Sequence, residues 1–252
     1  MNSIFFSIIS IVKNNEYTIK EMINSVKSQS FKNYEHIICK SNLSTDNTNK
    51  IISEHININL KIINEDDNNI NRYTALNTAL KNTSGKYIML LHGDDIFYNK
   101  STLQDIYNLI IKNDDKLIFY CNIIYQNKNR AITRKWYSPK ENEIYLYNAW
   151  KIPHTSLIIN KEALNNDIYY EAKYNISSDL YYILNLKKKY SSSFLKLNLI
   201  STIMLNTGDS SKLTNFFQQT FEDYLILKKF FGFKSLIVLM NKKLNKLFQF
   251  SF

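Results

Sequence analysis

Glycine and proline are both scarce in this 252-residue chain, with four of the first and two of the second. Gly85, Gly93, Gly208 and Gly232 complete neither a G-x-G-x-x-G nor a G-x-x-x-x-G-K-[ST] pattern, which disfavours a dinucleotide-binding turn and a P-loop. A bound diphosphate would have to be held by a metal and side chains. Cysteine is as rare. Cys39 and Cys121 cannot build a disulfide framework or a zinc-finger spacing, and they are expected as buried apolar residues in a reducing compartment. No stretch approaches the ~20 apolar residues of a membrane span, and no basic region precedes the short apolar run Ile4–Val12. Cytoplasmic residence is the expectation. Arginine is the last scarcity: only Arg72, Arg130 and Arg134 contribute to a formal net charge of +10, the rest being lysine. Base readout in DNA leans on arginine forks, so a nucleic-acid partner is not expected. The positive surface suits nucleotides, phospholipids and lipid-linked diphosphates, although AT-rich coding would also enrich lysine.

What the chain does have is core-forming material: 44% of its residues are hydrophobic and 14% aromatic. Short apolar runs alternate with helical spacing through the first half. Strands are expected at Phe5–Val12, His36–Lys40, Leu60–Asn64, Tyr87–Leu91 and Leu117–Ile124. Helices are expected at Thr18–Ser28, after a Ser44 cap through Ile52, at Tyr73–Lys81 closed by Gly85, and at Ser101–Lys112. The repeated strand–helix unit predicts an α/β fold with a mostly parallel sheet flanked by helices. Lys128–Lys140 reads as a basic loop, Ile152–Ile159 as a strand opening with Pro153-His154, and Leu180–Lys188 as a helix.

Ligands of such sheets bind at the carboxyl ends of the strands. That rule selects Lys13–Glu16, Ser41–Asp46, Asp66–Asn69 and His92–Asp95 as a rim. The most informative of these is the buried strand ending in Gly93-Asp94-Asp95. Adjacent carboxylates repel unless a cation joins them, and a hard divalent ion with oxygen ligands, Mn²⁺ or Mg²⁺, would do so. A turn with solvated acids is the plainer alternative. Asp179, opening a helical pattern, reads either as a cap or as a general base. His92 beside the acid pair could reach a metal or a phosphate, whereas His36 and His55 read as structural.

Seven segments, in order, resemble the family 2 glycosyltransferases of the GT-A fold, especially those of bacterial surface-polysaccharide assembly. They are Ser7–Asn15, Ser25–Phe31, Ser44–Thr48, Ala75–Asn77 with Thr83–Ile88, Gly93–Asp95, Pro153–Ser156 and Ser178–Tyr181. The resemblance implies an inverting, metal-dependent transfer from a nucleoside-diphosphate sugar, a UDP-sugar first, to a saccharide or lipid-linked saccharide. It implies Asp179 as catalytic base and a metal on Asp94 and Asp95. Donor contacts are implied at Val12, Asn14, Glu16, Ser41, Asp67, Asn77, His92, Gly93, Asp94 and His154. Ser41 stands where many members carry a base-reading aspartate, and His92 where an acid or asparagine is usual. A non-catalytic nucleotide-sugar-binding subunit is the alternative reading.

The same resemblance divides the chain into a catalytic domain over 1–212 and a basic, aromatic helical extension over 213–252. The extension reads either as packing on the domain or as lying on an anionic membrane. Homo-oligomerisation is a further expectation.

Overall fold

A computed structural model describes residues 3–56, 59–65, 71–205 and 213–247. Strands β1 (Phe6–Val12), β2 (Tyr34–Lys40), β3 (Leu60–Asn64) and β4 (Tyr87–Leu90) pair in parallel. Successive side chains of a strand point to opposite faces. Ile8, Ile38 and Met89 therefore enter one core layer, while Ile9, Ile37 and Leu90 enter the other. Helix α1 (Ile19–Lys27) seals the first layer with Ile19, Met22, Ile23 and Val26, spaced as one helical face. After α2 (Thr48–Glu54), α3 (Arg72–Lys81) seals the second layer with Tyr73, Leu76, Ala79 and Leu80.

Beyond β4 come β5 (Asp95–Phe97), α4 (Thr102–Ile110), β6 (Ile118–Gln126), β7 (Ile132–Trp136) and β8 (Leu157–Asn160). Then follow α5 (Lys161–Leu164), α6 (Ser178–Lys189), β9 (Phe194–Leu205), α7 (Leu213–Phe231) and α8 (Ser235–Leu247). Among the described residues the nine strands form one sheet, ordered β3-β2-β1-β4-β8-β6-β9-β5 with β7 beside β6. Parallel pairing rules the first four strands as expected. The later ones mix: β8 runs antiparallel to β4 and β6, and β5 to β9, whereas β9 is parallel to β6. Of the last two helices, α7 packs on α6, while α8 packs on α7 and on the 3-10 turn Leu146–Lys151, and together they bury Ile226, Leu227 and Val238 in the layer that holds Leu180 and Ile183.

Four local expectations change. Gly85 does not close α3, because Asn82 already caps it. Its reason is proximity instead: a Cβ there would sit 2.6 Å from the Ser7 nitrogen and 2.7 Å from the Phe6 carbonyl carbon. Ser44 does not cap α2, since Asp46 Oδ1 takes the Thr48 N–H at 3.0 Å. The expected loop over Lys128–Lys140 contains β7, hidden from a hydropathy reading by Arg134. That residue is buried with its guanidinium 4.7 Å from the Tyr125 ring and 4.6 Å from the Trp136 ring. The expected strand over Ile152–Ile159 begins only at Leu157, because His154–Ser156 forms a 3-10 turn on Pro153.

Candidate active site

The carboxyl ends of β1, β2 and β4 meet in one rim. Val12, the last residue of β1, is buried and accepts the Ser41 N–H through its carbonyl at 3.0 Å. Asn14 follows in the left-handed region at φ 54, a conformation asparagine tolerates better than most residues. Its Oδ1 accepts the Thr45 N–H at 2.9 Å, tying the loop after β1 to the loop after β2. Glu16 strengthens that tie: its Oε2 accepts Asn47 N–H groups at 3.0 and 3.2 Å, while its own N–H donates to Asp46. Asn14 and Glu16 therefore shape the rim by holding its two loops together.

Ser41 is buried at the end of β2 and donates its hydroxyl to the Glu65 carboxylate. Glu65 follows β3 directly, so an acid from the neighbouring strand end stands beside the serine. The sequence reading missed Glu65, whose signal was its place one residue past a strand in the same rim. Asp67 lies outside the described residues. Asn77 departs from the expected donor contact. Both ends of its amide clip the Tyr170 backbone, each at 2.8 Å, which joins α3 to the segment ahead of α6.

The acid turn follows β4. Gly93 packs so closely that a Cβ would meet the Asn15 side chain at 2.7 Å and Val12 Cγ1 at 2.9 Å, and its carbonyl accepts the Thr18 hydroxyl at 2.7 Å. Asp94 is half-buried, whereas Asp95 is fully buried. Asp95 Oδ2 accepts the His92 N–H at 3.2 Å, and its Oδ1 has no hydrogen-bond partner. Burial, then the charge of Asp94, pushes the Asp95 carboxyl well above the usual carboxylate range. Burial, then His154 and Arg72, lowers His92 to about 3, so its imidazole is neutral and is no cationic partner for the acids.

Across this turn stands the N-terminus of α6. Asp179 lies in its first turn, with Oδ1 accepting the Leu180 N–H at 2.9 Å. His154 Nδ1 lies 3.3 Å from Asp179 Oδ2, and the His92 and His154 rings are 5.9 Å apart. Burial holds His154 below its ordinary range, with Asp179 pulling it upward. Tyr73 donates to the Ile176 carbonyl at 2.6 Å and lies 3.5 Å from Asp179 Oδ1. Asp94, Asp95 and Asp179 all act on Tyr125, which burial foremost pushes up to about 12 while Arg134 pulls it down. The acid turn and Asp179 thus share one site. Two of the three arginines, Arg72 and Arg134, stand beside it. Arg130 instead pairs with Glu21 at 2.5 Å.

Glu222 is the second residue that sequence reasoning missed. This nearly buried carboxylate accepts the N–H groups of Asn175, Ile176 and Ser177 at 3.1, 2.9 and 2.9 Å. It holds the loop that delivers Asp179. Glu222→Ala leaves three donors without their acceptor, so urea unfolding is expected to show a loss of about 2–3 kcal/mol, with Glu222→Gln losing less. An unchanged midpoint would mean that the loop supports itself.

No group of three or more His, Cys, Asp or Glu side chains gathers to hold a metal among the described residues. The acid turn fits a cation in a narrower sense. Asp95 has a buried oxygen without a partner, and Asp94 adjoins it. Two carboxylates suit a Mn²⁺ or Mg²⁺ whose remaining ligands are phosphate oxygens and water.

Known proteins resemble this chain in sequence and in fold. The family model for glycosyl transferase family 2 matches residues 7–169. TarS of Staphylococcus aureus, a poly(ribitol-phosphate) β-N-acetylglucosaminyltransferase, is 25% identical over 204 residues, covering 79% of this chain and 34% of TarS. WfgD of Escherichia coli, a UDP-Glc:α-D-GlcNAc-diphosphoundecaprenol β-1,3-glucosyltransferase, is 33% identical over 147 residues, covering 56% of this chain and 54% of WfgD. The chain thus spans a third to a half of the length of these relatives. TarS 1-349 crystallised with UDP-GlcNAc superposes with a TM-score of 0.72 at 22% identity, over 90% of this chain and 67% of that one. The mannosyltransferase PcManGT of Pyrobaculum calidifontis, crystallised with GDP-Man and Mn²⁺, gives 0.63 at 14% identity, over 89% and 63%. These two likenesses show the GT-A type of fold.

Proposed function

Because the chain belongs to glycosyl transferase family 2, we propose that it moves a sugar from a nucleoside-diphosphate sugar, a UDP-sugar first, to a hydroxyl of a saccharide or lipid-linked saccharide in surface-polysaccharide synthesis. The observation that carries this reading is the Asp179–His154 pair facing the Asp94–Asp95 turn across one site. Asp179 takes the acceptor proton while the acceptor oxygen bonds to the anomeric carbon. The bond from that carbon to the diphosphate oxygen breaks, and the nucleoside diphosphate leaves with its electron pair, inverting the centre. His154, held below its ordinary range, orients the carboxylate without neutralising it. Asp94 and Asp95 would hold a Mn²⁺ or Mg²⁺, which would offset charge on the leaving diphosphate. The rim of Val12, Ser41 and Glu65 receives the nucleoside end, with its shape kept by Asn14 and Glu16. The donor named for TarS and the lipid-linked acceptor named for WfgD support these substrate classes. Two buried free thiols suit a reducing, cytoplasmic setting.

A thermal-shift panel of nucleotide sugars, each with and without Mn²⁺, tests the reading. One donor is expected to stabilise the protein selectively and more strongly with the metal, and to release nucleoside diphosphate slowly when an acceptor is absent. Selective binding with no release across a panel of acceptors would turn the reading toward a non-catalytic binding subunit. No stabilisation by any donor would remove it.

A further inference from the structure

The C-terminal helices carry a surface that sugar transfer does not use. α7 turns Phe217, Phe221 and Leu225 outward along one stripe, and α8 turns out Ile237, Met240 and Leu244. Between the helices Gly232 adopts φ 53 and Phe233 stands wholly in solvent. Side chains of this size on two consecutive helices call for a partner.

The charges say which partner. Residues 213–252 contain six lysines and two acids. Both acids face inward. Glu222 is held on the loop ahead of Asp179, and Asp223, fully buried, pairs with Lys242 at 2.7 Å and Lys243 at 3.7 Å. Lys228 and Lys234 are exposed. The outward surface of the helix pair is therefore apolar and cationic, and neither acidic side chain of 213–252 faces out. A second copy of the same face would set lysine against lysine. A bilayer with anionic headgroups takes the rings and the ammonium groups together.

We propose that α7 and α8 form an interfacial docking face for a membrane containing anionic phospholipid. The exposed phenylalanine, isoleucine and methionine side chains enter the headgroup–acyl boundary, and Lys228 and Lys234 reach up to lipid phosphates. No helix among the described residues is long and apolar enough to cross a membrane, so the association lies in the interface plane. It does not depend on transferase activity. It would, however, keep the Asp179 loop, gripped by Glu222 of the same helix pair, close to a lipid-linked acceptor.

Flotation of the full chain with vesicles tests this directly. Capture is expected on phosphatidylcholine mixed with phosphatidylglycerol, but not on phosphatidylcholine alone, and is expected to fall with salt. The triple variant Phe221→Ser, Ile237→Ser, Met240→Ser and the double variant Lys228→Glu, Lys234→Glu should each weaken capture roughly tenfold or more. Unchanged circular dichroism would show that both variants are folded. Equal capture on neutral vesicles, or none on either kind, would overturn the proposal. So would a concentration-dependent dimer in sedimentation that the same substitutions dissolve, which would make a second copy the occupant.

Discussion

Asp179→Asn is expected to lower turnover by roughly 10²–10⁴-fold, the usual worth of a positioned general base, with donor-induced thermal stabilisation unchanged. The substitution keeps side-chain size and an acceptor oxygen for the Leu180 N–H, so the first turn of α6 should survive. What it removes is the charge that faces His154 at 3.3 Å and, in the proposed mechanism, accepts the incoming proton. His154→Ala offers the comparison. A positioning residue should cost less than the base. If Asp179→Asn turns over like the parent in a saturating transfer assay, then the acid at the start of α6 serves the helix and another group takes the proton.

Asp94→Ala should abolish the Mn²⁺-dependent part of donor binding. A ligand at a hundred times its dissociation constant stabilises its protein by about 2.7 kcal/mol, which for a chain of this length is roughly 5–10 °C of melting temperature. That increment should vanish in the variant while the melting temperature without ligand stays near the parent's, because Asp94 is only half-buried. Asp95→Asn should behave differently. Asp95 is fully buried with one unpartnered oxygen, so an ionised carboxylate there burdens the free fold. Its neutral isostere is expected to melt at or above the parent without ligand and still lose most of the Mn²⁺ response. Full retention of the metal response in both variants would show that the acid turn holds no cation.

Much of the framework was legible along the chain. The parallel strands were short apolar runs, and the face of α1 was four residues at helical spacing, because local periodicity reports which side of an element is buried. The acid turn was legible too, since its residues adjoin in sequence. Other features depend on partners far apart in the chain. Gly85 resembled a helix stop, but its constraint is the backbone of β1, nearly eighty residues earlier. β7 was concealed because burial of Arg134 under two rings contradicts its hydropathy.

By itself, the sequence determined the order of strands and helices from β1 to β4, the carboxylates at one strand end, and an excess of lysine in the C-terminal segment. Tertiary structure alone decided that Glu65 joins Ser41, that Asp179 meets His154, and that Glu222 and Asp223 turn inward, leaving the outer face of their helices without a carboxylate. The physical reason is one of range. Periodicity and turn chemistry act over a few residues. A carboxylate's partner and its exposure depend on which distant segment the packing of the sheet and helices brings beside it.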